Sequence, residues 1–232
     1  MLPQDYTLDE SSPIVLEDPL YIDDSKTGVT IGLVRDENPS GKVLLSPAAV
    51  KILVDHDLTV LMQHGFSAGT PYTDMDYADV GAEFVDDFYL MATMAKTLVK
   101  FQPFEEAQLD FMRYEQTIFS YFNPQNSSLD YIQMLTTKKI SAFAFNLIED
   151  ADGHSVVDKI LASGNNDDNL SNFLFPYIRE LAFNSRLRFV LQKTPALMDS
   201  VYCFSGEVCN RDIADLLNLP YRDIVTLCWE LN

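Results

Sequence analysis

The stretch TIFSYFNPQNSSLDYIQMLTTKKISAFAF, residues 117–145, decides how the chain folds. Thr117-Ile118-Phe119-Ser120-Tyr121 is rich in β-branched and aromatic residues and stops at Asn123-Pro124, so it reads as a strand closed by a turn. Ser127 or Ser128 then caps a helix running through Leu135. Ile140-Ser141-Ala142-Phe143-Ala144-Phe145 is a near-continuous apolar run, the pattern of a strand covered on both faces. Strand, helix and strand at this spacing predict an α/β fold with a largely parallel sheet.

The same rhythm extends upstream. Val29-Thr30-Ile31-Gly32-Leu33-Val34 reads as a strand. Ser46-Pro47 opens a helix, with serine as N-cap and proline at the first helical position. Thr59-Val60-Leu61-Met62 is the next strand, and Thr73-Asp74-Met75-Asp76 resembles a capping box before a short helix that stops near Gly81. Glu83-Phe84-Val85, a helix over 86–95 and Thr97-Leu98-Val99-Lys100 complete this part. Residues 1–26 are acidic and carry Pro3, Pro13 and Pro19, which predicts a surface arm. Downstream, the rhythm breaks over 151–169, where Asp152-Gly153 and the polar run 164–169 leave room for two helical turns over 155–162. Beyond this the chain reads as mainly helical, over 170–183, 186–192 and an Asn210-capped segment 211–217. A hairpin over 201–208 turns at Ser205-Gly206.

Composition narrows the function classes. The 232 residues are 47% hydrophobic and 22% charged, with a net charge of −19. This excludes a wholly disordered chain. So negative a surface repels phosphate backbones and anionic headgroups, so neither nucleic acid nor a membrane is an expected partner. No run of 18 apolar residues suggests a membrane span, and the first 20 residues show no secretory pattern. Cys203, Cys209 and Cys228 are too few and odd in number for a disulfide framework, which predicts reduced thiols and a cytoplasmic location.

A dinucleotide site needs a glycine turn between strand and helix, so that the pyrophosphate can approach the backbone. The nine glycines are at 28, 32, 41, 65, 69, 81, 153, 164 and 206. No two are separated by one residue, so neither GxGxxG nor a P-loop exists. The expectation is that NAD(H) and NADP(H) do not bind this chain alone. His56, His64 and His154 lack zinc-finger spacing, and no metal is expected. Cys203 and Cys209 read as hairpin thiols packing as small hydrophobes.

At this point the chain resembles the substrate-binding, catalytic N-terminal domain of alanine dehydrogenases and nicotinamide nucleotide transhydrogenases. Ile31-Gly32-Leu33-Val34-Arg35 followed by Lys42-Val43-Leu44-Leu45-Ser46-Pro47 resembles the family's IGxPKE…NRVALTP opening. His64-Gly65-Phe66-Ser67-Ala68-Gly69 with Tyr72-Thr73-Asp74-Met75-Asp76-Tyr77, and Val80-Gly81-Ala82-Glu83, follow in the family's order. The tail, through Gly206-Glu207-Val208 and Leu219-Pro220-Tyr221, resembles the end of the long enzymes. The resemblance implies a flavodoxin-like, mostly parallel sheet flanked by helices, with no separate Rossmann domain. It also implies an arm over 1–26 and a substrate domain over 27–232. That domain is built from 27–150 and 169–232, with 151–168 as a linker where the family inserts its NAD-binding domain.

The resemblance further assigns site positions. The arginine that holds the substrate carboxylate aligns with Lys42, which keeps the charge and loses the guanidinium fork. In the KVKEP segment one residue is lost, and Gln102 takes the key position, while Lys100 matches the earlier lysine. The acid/base histidine aligns with Asn123, and a late glutamate with Asn146. Asparagine and glutamine cannot exchange protons near neutral pH. Lys42, Gln102 and Asn123 are therefore expected to converge, as a vestigial substrate site, beyond the carboxyl ends of the strands. There a small 2-oxo acid would bind weakly, or the three side chains would merely cap strand ends and meet water. Three readings of function remain open. One is a non-catalytic pseudoenzyme or binding and regulatory module that pairs with itself or a protein partner. The second is a substrate-domain component acting on L-alanine, pyruvate or a related amino acid, with the NAD-binding domain supplied by another chain. The third is an unrelated chemistry in the same cleft.

Overall fold

A computed structural model describes residues 30–164, 168–183 and 186–230. The acidic arm therefore lies outside the described residues, as do 165–167 of the linker. The first half alternates strictly. In chain order it runs β1 (Thr30–Leu33), α1 (Pro47–Asp55), β2 (Thr59–Gln63), α2 (Asp74–Ala78), β3 (Glu83–Val85), α3 (Phe88–Met94), β4 (Thr97–Val99), α4 (Glu106–Phe111), β5 (Thr117–Ser120), α5 (Leu129–Thr137) and β6 (Ser141–Ala144). The second half is mainly helical: α6 (Val156–Ala162), α7 (Asn169–Phe183), α8 (Leu187–Lys193), α9 (Pro195–Asp199), the hairpin β7 (Val201–Phe204) and β8 (Glu207–Val208), α10 (Arg211–Leu217) and α11 (Ile224–Glu230).

All eight strands form one sheet in the order β3-β2-β1-β4-β5-β6-β7-β8. The first six are parallel, and β7 and β8 add antiparallel at one edge. The six parallel strands run β3-β2-β1-β4-β5-β6, so the strand order reverses between β1 and β4, the switch point of a doubly wound sheet. Side chains alternate across the sheet as a strand's two-residue period requires. Ile31, Leu33, Val60, Met62, Val99, Phe119 and Phe143 face one core with α1 and α7. Leu61, Leu98, Ile118, Ala142 and Ala144 face the other with α3 and α5. Gly32 is required by this packing: a Cβ there would lie 2.7 Å from both Leu98 Cδ2 and Met91 Cγ.

The caps read from the sequence are present. Ser46 Oγ accepts from the Ala49 amide, and Thr73 and Asp76 form a reciprocal capping box. Ser128, of the two serine candidates, caps α5. The later segment is tied to the earlier one by long-range bonds. The Ser46 amide donates to Ser171 Oγ at 2.8 Å, Thr97 Oγ1 donates to the Leu181 carbonyl, and Tyr72 Oη donates to Asp168 at 2.7 Å. Burial and the Asp168 carboxylate together push the Tyr72 phenol up to about 12. Cys203 and Cys209 are buried free thiols in the hairpin region. Burial raises both, Cys209 to about 12, so they sit as neutral apolar groups.

Candidate functional site

The loops beyond the carboxyl ends of β1, β2 and β4 meet around Lys42. A cleft of about 10 Å³ is lined there by Asp36, Gly41, Lys42, Gly65, Phe66 and Phe101, among others. That volume admits roughly one water molecule. Its two lips touch backbone to backbone. Gly41 has φ +69°, and a Cβ on it would stand 2.8 Å from the Gly69 carbonyl oxygen.

Gln102 does not line this cleft. Its amide donates to Asp36 Oδ1 at 2.9 Å and its side-chain Nε2 to the Asn38 carbonyl at 3.1 Å. Gln102 thus anchors the loop after β1 from the loop after β4. Asp36 is partly buried, and that burial raises its carboxyl despite the Gln102 amide and the Lys100 charge. Lys100 itself is buried, with Nζ donating to Gln108 Oε1 at 3.0 Å; burial holds its ammonium below the usual lysine range.

The far lip is held by one carboxylate. Asp74 Oδ1 accepts from Ser67 Oγ at 2.7 Å, and Oδ2 accepts from the Gly65 amide at 3.1 Å and faces His64 Nδ1 at 3.3 Å. Burial acts to raise the Asp74 carboxyl, but the Ser67, Gly65 and His64 donors outweigh it and the net shift is downward. A carboxyl depressed in the folded state adds stability that is full above its unfolded value, about 4, and fades as pH falls through the folded one. The Asp74→Asn variant is therefore expected to lose stability at pH 7 and to show a flatter decline below about pH 4. Urea unfolding across pH 2.5–7, wild type against variant, is the check; parallel curves would refute the assignment.

Asn123 lies elsewhere. Its side chain accepts from the Gln125 amide at 3.0 Å, capping a 3₁₀ turn over Pro124–Asn126. It lines a second cleft of about 600 Å³, between the loops that follow β4 and β5. Pro103, Phe104, Glu105 and Glu106 form one wall, and Tyr121, Phe122, Asn123, Asn126, Ser127, Ser128 and Tyr131 the other. Asn146 brackets the Phe122 backbone, accepting from its amide at 2.8 Å and donating to its carbonyl at 2.9 Å. The three aligned positions are thus divided among a water-sized cleft, a loop anchor and a separate groove.

Asp150, Asp152 and His154 bring ligand-type atoms within 4.8 Å of one another, a cluster the sequence reading did not single out. Asp150 is already engaged: Lys159 Nζ pairs with Oδ2, and the Asp152 and His154 amides donate to Oδ1. The Lys159 contact, with those amides, lowers the Asp150 carboxyl to about 2. The lysine ammonium thus already pairs with the Asp150 carboxylate.

Among the described residues no helix is long and apolar enough to cross a membrane. A family model described as alanine dehydrogenase/PNT, N-terminal domain, matches residues 33–163. Among curated proteins, an alanine dehydrogenase of Staphylococcus epidermidis is 28% identical over 124 residues, which is 53% of this chain and 33% of the relative. Alanine dehydrogenase 2 of Staphylococcus aureus is 26% identical over 120 residues, 51% of this chain and 32% of the relative. The chain therefore matches about a third of the length of these relatives. Among solved structures, an L-alanine dehydrogenase aligns at TM-score 0.48 and 25% identity over 54% of this chain and 34% of that one. A transhydrogenase from Sinorhizobium meliloti aligns at TM-score 0.46 and 18% identity, over 52% of this chain and 36% of that one.

Proposed function

Since this chain belongs to the alanine dehydrogenase/PNT N-terminal domain family, we propose that it is a non-catalytic binding module of that family, one that has lost hydride-transfer chemistry. One observation carries the reading: the three positions aligned with the family's substrate residues do not share one cleft. Lys42 borders a cleft with room for roughly one water, Gln102 spends its amide on Asn38, and Asn123 caps a turn. Neither the Gln102 nor the Asn123 side chain can exchange a proton near neutral pH. In the same reading, 151–168 is the linker that stands where the family inserts its NAD-binding domain. The chain passes from β6 through α6, α7, α8 and α9 and returns as β7 beside β6, which is consistent with such a closure.

The expected result is no NADH formation from L-alanine and NAD by the pure chain in a spectrophotometric assay. Pyruvate, titrated by NMR, is expected to bind no tighter than the millimolar range, about 4 kcal/mol, because the cleft beside Lys42 has room for roughly one water. Its shifts are expected to centre on residues 36–42 and 65–68 and to vanish in Lys42→Ala. Measurable alanine oxidation by the pure chain would overturn the proposal. Oxidation that appears only when a separate NAD-binding protein is added would favour the reading in which another chain completes an enzyme.

A further inference from the structure

The larger cleft has a composition unlike that expected of a carboxylic-acid site. Its lining contains two carboxylates, Glu105 and Glu106, and no lysine, arginine or histidine. Both glutamates are exposed. Glu106 Oε1 accepts from Ser128 Oγ at 2.7 Å across the groove, which ties the two walls together. Among the described residues neither glutamate makes an ion pair within 4.0 Å. The buried Lys100 ammonium lies over the Phe104 ring, 5.8 Å from its centroid, and is held by Gln108. It contributes a Coulomb interaction with Glu105.

Besides the carboxylates the groove is lined by aromatic side chains. Phe104, Phe122 and Tyr131 are almost fully buried and show only their margins to the groove. Phe122 stacks against Tyr131, with centroids 5.9 Å apart, and against Tyr202 at 4.2 Å. The ring is thus held in place by its aromatic neighbours. About 600 Å³ falls within the ~300–1,000 Å³ typical of small-molecule sites. A net charge of −19 adds a long-range field that draws cations toward any concave acidic surface.

We propose that this cleft binds a small organic cation: a protonated primary amine on a compact apolar body. The ammonium lies against Glu105 and Glu106, with the Ser128 hydroxyl and the Asn126 side chain as further polar partners. The apolar body covers Phe104, Phe122 and Tyr131. The site is separate from the Lys42 cleft, and its occupancy does not depend on whether the chain has lost turnover.

The probe is 2-phenylethylamine, titrated into the ¹⁵N-labelled full chain at low salt. Its comparators are 2-phenylethanol, neutral and of similar shape, and 3-phenylpropanoate, an anion. Amine binding is expected to shift amides within 104–106 and 121–131, to be at least tenfold tighter than alcohol binding, and to weaken as salt is raised. The anion is expected not to bind. The double variant Glu105→Gln/Glu106→Gln is expected to bring the amine down to the affinity of the alcohol. Asn126→Lys, which places a cation at the groove without removing a carboxylate, is expected to weaken the amine at least fivefold and leave the alcohol unchanged. Spectra that match wild type outside the cleft show that each variant folds. Equal affinity for amine and alcohol, shifts centred outside the cleft, no binding at millimolar amine, or full amine binding by both variants would each overturn the proposal.

Discussion

Phe145→Ala is expected to lower the unfolding free energy by about 4 kcal/mol, the range found when a fully buried phenylalanine is cut back to alanine. Phe145 is wholly buried at the turn that follows β6. Its ring packs against Phe119 at 5.4 Å, Phe101 at 5.9 Å and Tyr121 at 6.0 Å between centroids. Phe101 lines the Lys42 cleft and Tyr121 lines the larger one. The ring therefore supports both loop clusters from beneath. Truncation leaves a cavity that surrounding backbone in strands cannot collapse to fill. Urea denaturation with a shared slope is the measurement, and a loss under about 1.5 kcal/mol would show that the aromatic cluster rearranges to fill the space. A Phe145→Leu variant, which keeps much of the volume, is expected to recover over half of the loss.

Lys138→Met is expected to cost about 2 kcal/mol, through lost hydrogen bonds and not through lost packing. The Lys138 ammonium donates to three carbonyls at the end of α4: Leu109 at 2.7 Å, Asp110 at 2.6 Å and Met112 at 3.1 Å. These carbonyls belong to a helix terminus, where the last oxygens have no partner within the helix and carry partial negative charge. Methionine preserves the aliphatic stem but supplies no donor. The effect is expected to be local as well as global. Hydrogen exchange in 105–112 is expected to quicken more than in β5 or β6, because α4 is only six residues long and is pinned by this contact. Lys138→Arg is expected to restore most of the loss. Uniform exchange across the domain, or an unchanged midpoint, would place the stability of α4 elsewhere.

Much of the architecture was legible because it rests on neighbours in sequence. The alternation that sends Leu33 to one face and Val34 to the other, or Phe143 to one and Ala142 to the other, is a two-residue period anyone can count. Ser46-Pro47, Thr73–Asp76 and Asn210 announce helix starts through local cap chemistry, and each is realised. α4, α9 and α11 were not anticipated. α4 starts at Glu105, which is not a strong cap residue, and its capping partner Gln108 is the same side chain that receives Lys100. α9 follows Thr194, whose side chain makes no cap bond. α11 carried a readable signal: Asp223 accepts from the Thr226 amide three residues on.

The site divides along the same line. The sequence by itself determined the α/β class, the strand–helix rhythm, the absent glycine fingerprint and, through resemblance, the positions Lys42, Gln102 and Asn123. Each of these depends on residue type and short spacing. Only the tertiary structure decided what those side chains do. Gln102 turns to Asn38, 64 positions away, and Asn146 to Phe122, 24 positions away. The groove between Glu105–Glu106 and Ser127–Ser128 exists because β4 and β5 lie side by side, which brings together loops about 20 residues apart in the chain. Hydrogen-bond partners and cavity walls are fixed by which loops the sheet order makes neighbours, and strand order is a property of the whole packed chain.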